Sequence, residues 1–558
     1  MDREGISELV RANAKMFGPR PALCQHGGMR SEEYSYQALD EASGKLAAAL
    51  IAQGVQPDDR VALLCDSRPR WGVAFFATLR AGAVVMPLDP RQSVDDLAAN
   101  LDDGAPRVLL TGEAQERLVS ELLERCRGTI KVFSLEPDDA NPSFPSVDSL
   151  LATDRNSCCI ARDPGDAAVL TYTSGTTGST KGVVTTHGNL LFQVRAFRQV
   201  MGNDADCTTV SILPLSHLFE LTVGFLGVLY GGGCVCYCNS LLPVEIITAM
   251  QRHRVTCMAV VPLFLKLLET AIRNEIAKRG PVRRSACAAL MKLSPFLPLA
   301  ARRRLFSPVR SRFGGRLEYF ISGGAPLDRG TLRFFRSIGL PVYQGYGLAE
   351  GSPVIATNVP RDDRPVSVGK PLPGVEVRIS AEDGEILTRG PHIMRGYFRN
   401  AELSARMIDS DGWLHTGDLG RLDGDGYLYV TGRKKNTIVL GSGMKVQPEE
   451  VEDLLFEHPD IKEGCVIGLR AERGIFAGSE EVCAVAVASE GVIQRCAAAW
   501  PEIDDTIRRV IEQRSLRLTA FKRPTRIVLS RQALPRTTTR KVRRPVIQAW
   551  LSDKGARQ

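Results

Sequence analysis

The residues whose types and spacing suit chemistry most directly lie between Leu170 and Gly182, in LTYTSGTTGSTKG. Apolar residues at strand density give way there to hydroxyls, glycines and one lysine. Gly175 and Gly178 permit backbone geometries that a Cβ would forbid, so successive N–H groups can point at one anion. Ser174, Thr176, Thr177, Ser179 and Thr180 add hydroxyl donors, and Lys181 adds a charge. A loop of this kind holds phosphates, although it lacks the G-x-x-x-x-G-K-S/T spacing. An ordinary polar turn after a strand has the same composition, so the loop takes its meaning from partners elsewhere.

Five later stretches supply candidates for those partners. ISGGAPL (Ile321 to Leu327) reads as a strand running into a flat glycine turn, a surface on which a purine can lie. VYQGYGLAE (Val342 to Glu350) places an aromatic, Tyr346, four residues before a carboxylate. Tyr346 suits stacking on a base, and Glu350 suits hard-oxygen ligation of Mg²⁺. GWLHTGDLG (Gly412 to Gly420) carries Asp418, a carboxylate in a glycine turn that suits a ribose diol. GRKKNTIVLGSGMKVQPEEVE follows with Arg433, and LPRTTTRKVRRP carries Lys541 in a basic loop. Each alone is also a turn, a core tyrosine or a solvated charge. Their fixed order makes them one nucleotide site.

The elements that must position these residues alternate. Tyr36 to Gln53 has apolar residues at helical spacing and stops at Gly54, RVALL (Arg60 to Leu64) is a short apolar strand, Trp71 to Leu79 is helical, and GAVVMPL (Gly82 to Leu88) is a strand. Strand patterns recur at 108–111, 130–133, 210–213, 234–238, 256–261 and 318–322. Strands separated by helices imply βαβ units and a largely parallel sheet. At 558 residues the chain exceeds the size at which one core keeps growing. The expected fold is therefore α/β: a large N-terminal domain of parallel-rich sheets with flanking helices (1–432) and a small, mobile C-terminal α+β domain (433–558).

Composition narrows the class. Hydrophobic content of 44% and charged content of 24% describe an ordinary globular protein, and a formal charge of +8 is too modest to argue for nucleic acid as partner. The N-terminus lacks a signal-like apolar core, and the most apolar stretch, Leu221 to Tyr237, is broken by three glycines. It reads as a buried helix followed by a buried strand. The fourteen cysteines form no paired pattern, which fits free thiols in a reducing cytoplasm. Cys234, Cys236 and Cys238 put three sulfurs on one strand face, but no fourth ligand follows at finger-like spacing, so they read as buried thiols rather than a metal site. Residues 273–316 hold twelve Arg or Lys and one acid, Glu275, with apolar residues between. Such a segment suits either peripheral contact with an anionic membrane or a solvated helical excursion.

Together these motifs resemble those of the adenylate-forming superfamily of acyl-CoA synthetases, luciferases and peptide-synthetase adenylation domains. The likeness runs from about Tyr36 to Arg544 and is greatest to long-chain fatty acyl-CoA synthetases. It implies that a carboxylate attacks the α-phosphorus of MgATP, pyrophosphate leaves, and a thiol, most often CoA, then takes the acyl group. Carried over residue by residue, Thr173, Ser174, Gly175, Thr176, Thr177, Gly178 and Lys181 hold the β- and γ-phosphates. Gly324, Ala325, Tyr346 and Gly347 line the adenine, Glu350 and Thr173 hold Mg²⁺, and Asp418 and Arg433 contact the ribose. Lys435 marks the hinge, Gly443 lies in the loop that swings to the pantetheine, Lys541 is the adenylation lysine, and His217 stands beside the acyl entrance.

Three positions depart from the family pattern. Ala349 replaces a threonine that donates to the α-phosphate, Arg540 replaces a glycine before the lysine, and Asn436 stands where an acid is common. The first of these keeps open a nucleotide- or acyl-binding pseudoenzyme. Basic residues near the C-terminus (Arg517, Lys522, Arg523, Arg536, Arg540, Arg543 and Arg544) fit CoA phosphates, an acidic acyl carrier protein as alternative acceptor, or a solvated face.

Overall fold

The computed structural model describes residues 5–25, 31–137, 142–151, 157–174, 180–202, 204–238, 240, 242–278, 280–471, 478–536 and 542–554. Packing divides the chain into two compact units, Met1–Val377 with Thr388–Leu414 and Arg378–Leu387 with His415–Gln558. The hairpin that carries Asp418 therefore packs with the C-terminal unit.

The first unit holds sixteen strands that matter for the site. They are β1 (Pro21–Gln25), β2 (Glu32–Ser35), β3 (Arg60–Leu64), β4 (Val84–Pro87), β5 (Val108–Thr111), β6 (Lys131–Ser134), β7 (Ala167–Ser174) and β8 (Thr180–Thr186). The remainder are β9 (Thr208–Ser211), β10 (Cys234–Tyr237), β11 (Cys257–Val260), β12 (Tyr319–Ser322), β13 (Val342–Tyr346), β14 (Ala356–Thr357), β15 (Lys370–Pro371) and β16 (Gly396–Tyr397). Among the described residues they form three sheets, ordered β16-β8-β7-β4-β3-β5-β6, β11-β12-β13-β14-β15 and β2-β1-β10-β9. In the first, β7, β4, β3, β5 and β6 run parallel, and β3, β4 and β5 are buried almost throughout. Continuous apolar runs such as VALL and VVMP fit a sheet covered on both faces. The parallel-rich α/β architecture expected from the alternating pattern is thus present.

Helix boundaries follow local chemistry. The helix Tyr36–Ala52 starts where Ser35 accepts from the Ala38 N–H, and the Tyr36 hydroxyl donates to the Gly233 carbonyl at 2.7 Å. The helix Pro69–Arg80 places Trp71, Phe75 and Phe76 against Phe225, with Trp71 and Phe75 centroids 5.4 Å apart. These rings fill the core between the sheets.

In the second unit, Ile461–Arg470 pairs antiparallel with Glu480–Ala488, which pairs parallel with Arg526–Ser530. The helix Trp500–Ser515 buries Ile503, Ile507 and Ile511, spaced by four, against one face of this sheet. The C-terminal helix Arg544–Lys554 buries Ile547 and Leu551 against the other. The expected α+β character holds, and no described helix is long and apolar enough to cross a membrane.

The apolar stretch after His217 forms a buried helix and then a strand, as its glycines suggest, but its first turns are π-helical, Glu220–Leu226. Glu220 is 1% exposed, and its Oε2 has no hydrogen-bond partner among the described residues. Burial pushes its carboxyl up to about 8. A carboxyl whose folded pKa lies above its unfolded value of 4.5 makes the folded state bind more protons between those pH values, so stability falls as pH rises from 4.5 to about 8. Glu220→Gln should remove that slope. Its melting temperature relative to the parent should climb between pH 5 and pH 8 and stay level below pH 4.5, as read by thermal unfolding in matched buffers. A parallel pH profile for the two proteins would refute a neutral Glu220.

Candidate active site

Thr173 and Lys181 are register partners across the β7–β8 hairpin, so their side chains share one face. The candidate phosphate residues Gly175, Thr176, Thr177 and Gly178 fall outside the described residues, as does the Ser174 side chain. Lys181 Nζ stands 5.6 Å from the centroid of the Tyr397 ring, which reaches it because β16 pairs with β8 through Tyr397 and Val183. The Tyr397 hydroxyl in turn donates to Glu350 Oε1 at 2.7 Å. Burial, then the neighbouring Glu350 charge, pushes the Tyr397 phenol far up, so it stays a donor.

Glu350 sits in the single 3₁₀ turn Ala349–Gly351 that follows β13. Its carbonyl accepts the Met394 N–H at 2.9 Å, which joins the turn to the segment leading into β16. Two buried amides from the helix His187–Met201 hold both pieces. Gln193 Nε2 donates to the carbonyls of Gly351 (3.1 Å) and Val354 (2.8 Å), and Asn189 Nδ2 donates to those of Pro391 (2.7 Å) and Ile393 (2.9 Å). Asn189 and Thr186 also form the capping box that starts this helix. Gly347 is required where it stands: a Cβ would lie 1.7 Å from the Pro353 carbonyl oxygen. Ala349 packs its methyl beside Val183, Met394 and Tyr397. A carboxylate and a threonine hydroxyl are hard oxygen donors, so Glu350 and Thr173 suit Mg²⁺ by chemistry.

Nearby in the same unit, β13 ends at the half-buried Tyr346 and β12 leads into Gly323, Gly324 and Ala325. Gly323 lies against the Phe219 ring, where a Cβ would meet it at 2.9 Å, and Gly324 adopts φ +82°, where a Cβ would meet only Val261 at 4.0 Å. Gly324 and Ala325 are exposed.

His217 is more than a packed core histidine. Its Nε2 lies 3.5 Å from Asp89 Oδ2, in a cleft also lined by Pro87, Gln92, Tyr172 and Ser216. Burial would raise the Asp89 carboxyl, but hydrogen bonds from His217 and Arg91 outweigh it and hold the group ionised well below the usual range. The acid therefore orients the imidazole.

In the C-terminal unit, Asp418 and Arg433 are register partners in the hairpin Leu414–Leu422/Leu428–Arg433, and Arg433 Nε lies 2.9 Å from Asp418 Oδ1. Asp418 is buried. Next to them, Lys434 Nζ pairs with Asp383 at 2.6 Å and Glu385 at 3.0 Å, and the Lys434 partner lowers the Asp383 carboxyl to about 2. Lys435 is exposed, and Gly443 adopts φ +79° in the turn between Ile438–Val439 and Lys445–Val446. Lys541 and Arg540 lie outside the described residues. The basic C-terminal residues are partly engaged: Lys522 with Glu450 at 2.7 Å, Arg544 with Glu452 at 2.7 Å, and Arg536 with Glu463.

The chain belongs to the AMP-binding enzyme family, whose model matches residues 10–398, and the model of the AMP-binding enzyme C-terminal domain matches residues 450–541. It is 34% identical over 467 residues to the long-chain-fatty-acid–CoA ligase FadD15 of Mycobacterium bovis, covering 77% of this chain and 74% of that one. It is 28% identical over 481 residues to a feruloyl-CoA synthase of Amycolatopsis sp, covering 84% and 86%. The ATP-bound structure of MatB from Rhodopseudomonas palustris superposes with a TM-score of 0.78 at 26% identity, covering 98% and 99%. The chain is an AMP-forming acid–CoA ligase that works through an adenylate, with ATP, Mg²⁺ and CoA as its cofactors.

Sequence reading named Lys181, Tyr346, Glu350, Asp418 and Arg433 as candidates and did not single out Tyr397, Asn189, Gln193, Asp89 and Lys434, which the structure sets beside them or beside His217. RGYF around Tyr397 carries no spacing that points to Glu350, 47 residues away. Tyr397→Phe keeps the ring under Lys181 and removes only the bond to Glu350. It should raise the Mg²⁺ concentration for half-maximal pyrophosphate exchange about 10-fold, the usual scale for loss of a bond that orients a metal ligand. An unchanged Mg²⁺ dependence would show that this bond does not orient the acid.

Proposed function

We propose that this protein activates a long-chain fatty acid as its acyl-adenylate and transfers the acyl group to CoA, giving acyl-CoA, AMP and pyrophosphate. The observation that carries the reading is the 34% identity, across 77% of this chain, to a protein named for that reaction. The feruloyl-CoA synthase likeness at 28% makes an aryl acid the competitor to test.

A fatty carboxylate is already ionised at neutral pH, with a pKa near ~4.3, so the first step needs no general base. It needs two anions brought together and the charge developing on phosphoryl oxygens neutralised. In this reading the 173–181 loop and Lys181 grip the β- and γ-phosphates, Tyr346 and Gly324 seat the adenine, and Asp418 with Arg433 takes the ribose. Glu350 and Thr173 hold Mg²⁺, which supplies positive charge at the phosphates. Lys541 bridges the carboxylate and nucleotide. Rotation about Lys435 then exchanges Lys541 for the Gly443 loop at the thiol. His217, oriented by Asp89, stands beside the acyl entrance. Ala349 leaves one α-phosphate donor out of this set.

Pyrophosphate exchange with a panel of acids from short to long, ferulate included, should give the highest kcat/KM for long chains. Lys541→Ala should lower the adenylation rate by about 10²–10³, the cost of one transition-state donor. A preference for ferulate would reassign the substrate, and an adenylate that never reaches CoA would reassign the acceptor to a carrier protein.

Contact with an anionic membrane is a second proposal, favoured by the exposed side chains of the basic excursion. The helix Pro281–Leu293 and the turn after it expose Leu293 (62%) and Phe296 (86%) near Lys292, Arg303 and Arg304. Leu293→Asp with Phe296→Asp should abolish cosedimentation with vesicles rich in anionic lipid while leaving pyrophosphate exchange with a soluble acid unchanged. Equal cosedimentation of parent and variant would remove the proposal.

A further inference from the structure

The three cysteines of β10 do not share one fate. Cys238 lies past the strand and its Sγ faces the Ser240 carbonyl at 3.7 Å. Cys234 and Cys236 stay on the strand, two residues apart and on one face, with their sulfurs 3.9 Å apart. Parallel pairing sets Cys24 of β1 directly opposite Cys236. Its sulfur lies 3.8 Å from that of Cys234 and 2.8 Å from that of Cys236. The helix Pro243–His253 packs on the same face through Ile246 and Met250, and its last residue turns His253 Nδ1 to within 3.7 Å of the Cys24 sulfur. The metal-ligating atoms of Cys24, Cys236 and His253 all lie within 4.8 Å of one another. Residues from three places in the chain thus converge.

We propose that Cys24, Cys234, Cys236 and His253 form a structural zinc site, three thiolates and an imidazole, unconnected with the adenylation chemistry. The donor set selects a borderline-soft cation over Mg²⁺ or Ca²⁺, because thiolate and imidazole ligands favour Zn²⁺. The spacing agrees. Two sulfurs each about 2.3 Å from a tetrahedral ion are about 3.7 Å apart, and a sulfur and a ring nitrogen are about 3.5 Å apart. Three of the four separations above match these values, whereas Cys234 is not within 4.8 Å of the His253 ring nitrogens and must close on that side when the ion binds. The fourth, between Cys24 and Cys236, opens by about 1 Å when the two sulfurs share an ion. Cys24 and Cys236 are buried, whereas Cys234 and His253 are half-buried, which leaves a path for the ion. Four protein ligands leave no open position, so the ion fastens β1 and the helix end to β10 and activates no water.

The test uses the full-length protein, isolated under reducing conditions with zinc in the growth medium. Elemental analysis should find about one Zn²⁺ per chain. That ion should remain in Cys238→Ser and be lost in the Cys24→Ser, Cys236→Ser double variant. Replacing zinc by Co²⁺ gives a readout that does not depend on the variants folding well. The parent should show the intense visible bands of a tetrahedral ion and thiolate charge-transfer absorption. His253→Ala should shift the visible bands while far-ultraviolet circular dichroism stays unchanged. Absence of stoichiometric zinc from the reduced parent, octahedral Co²⁺ spectra, or zinc retained by the double variant would each overturn the site. So would a Cys24–Cys236 disulfide in freshly isolated protein.

Discussion

The candidate site around Glu350 depends on how one short turn is held. Glu350 lies on a 3₁₀ turn with no sheet hydrogen bonds of its own, and such a turn has little intrinsic stability. Its position comes from bonds made by residues distant in sequence. Gln193 fixes the Gly351 carbonyl, Met394 fixes the Glu350 carbonyl, and Tyr397 fixes the carboxylate. Buried amides and a buried phenol are strong anchors because leaving their polar partners unmatched costs roughly 1–3 kcal/mol each. Asn189 holds the segment leading into β16 at the same time, so one helix anchors both the Glu350 turn and the approach to the strand that carries Tyr397.

That arrangement also links charge to geometry. Lys181 sits over the face of Tyr397, and the same ring donates to Glu350 from its edge. A cation over the ring and an anion at the hydroxyl are both favoured by an aromatic with a negative face and a polar tip. The tyrosine therefore contacts both a lysine and a glutamate. His217 and Asp89 show a parallel economy, since the buried acid is kept ionised by the groups it orients.

Ala349 stands in the 3₁₀ turn beside Glu350. Its methyl packs into the small cluster of Val183, Met394 and Tyr397, so the residue has a structural use that does not need a hydroxyl. The C-terminal basic residues follow a similar logic. Lys522, Arg536 and Arg544 pair with acids of their own unit, which favours a solvated, internally balanced face over a docking surface for acidic partners.

The α/β alternation, the parallel strands from Arg60–Leu64 to Tyr319–Ser322 and the helix Tyr36–Ala52 were legible in the residues, whereas Pro21–Gln25, Glu32–Ser35 and Gly396–Tyr397 were not. These features depend on short-range rules: apolar periodicity, capping side chains and glycine at turns. Lys181, Tyr346, Glu350, Asp418 and Arg433 stood out as candidates for the same reason, because each sits in a local motif. What only the tertiary structure decided is which distant residues meet. Tyr397 on Glu350, Asp89 on His217, Gln193 on Gly351, and Cys24 with His253 on the β10 cysteines are separated by 47 to 229 residues. No spacing rule reaches that far, since sheet order and helix docking, not proximity along the chain, bring those side chains together.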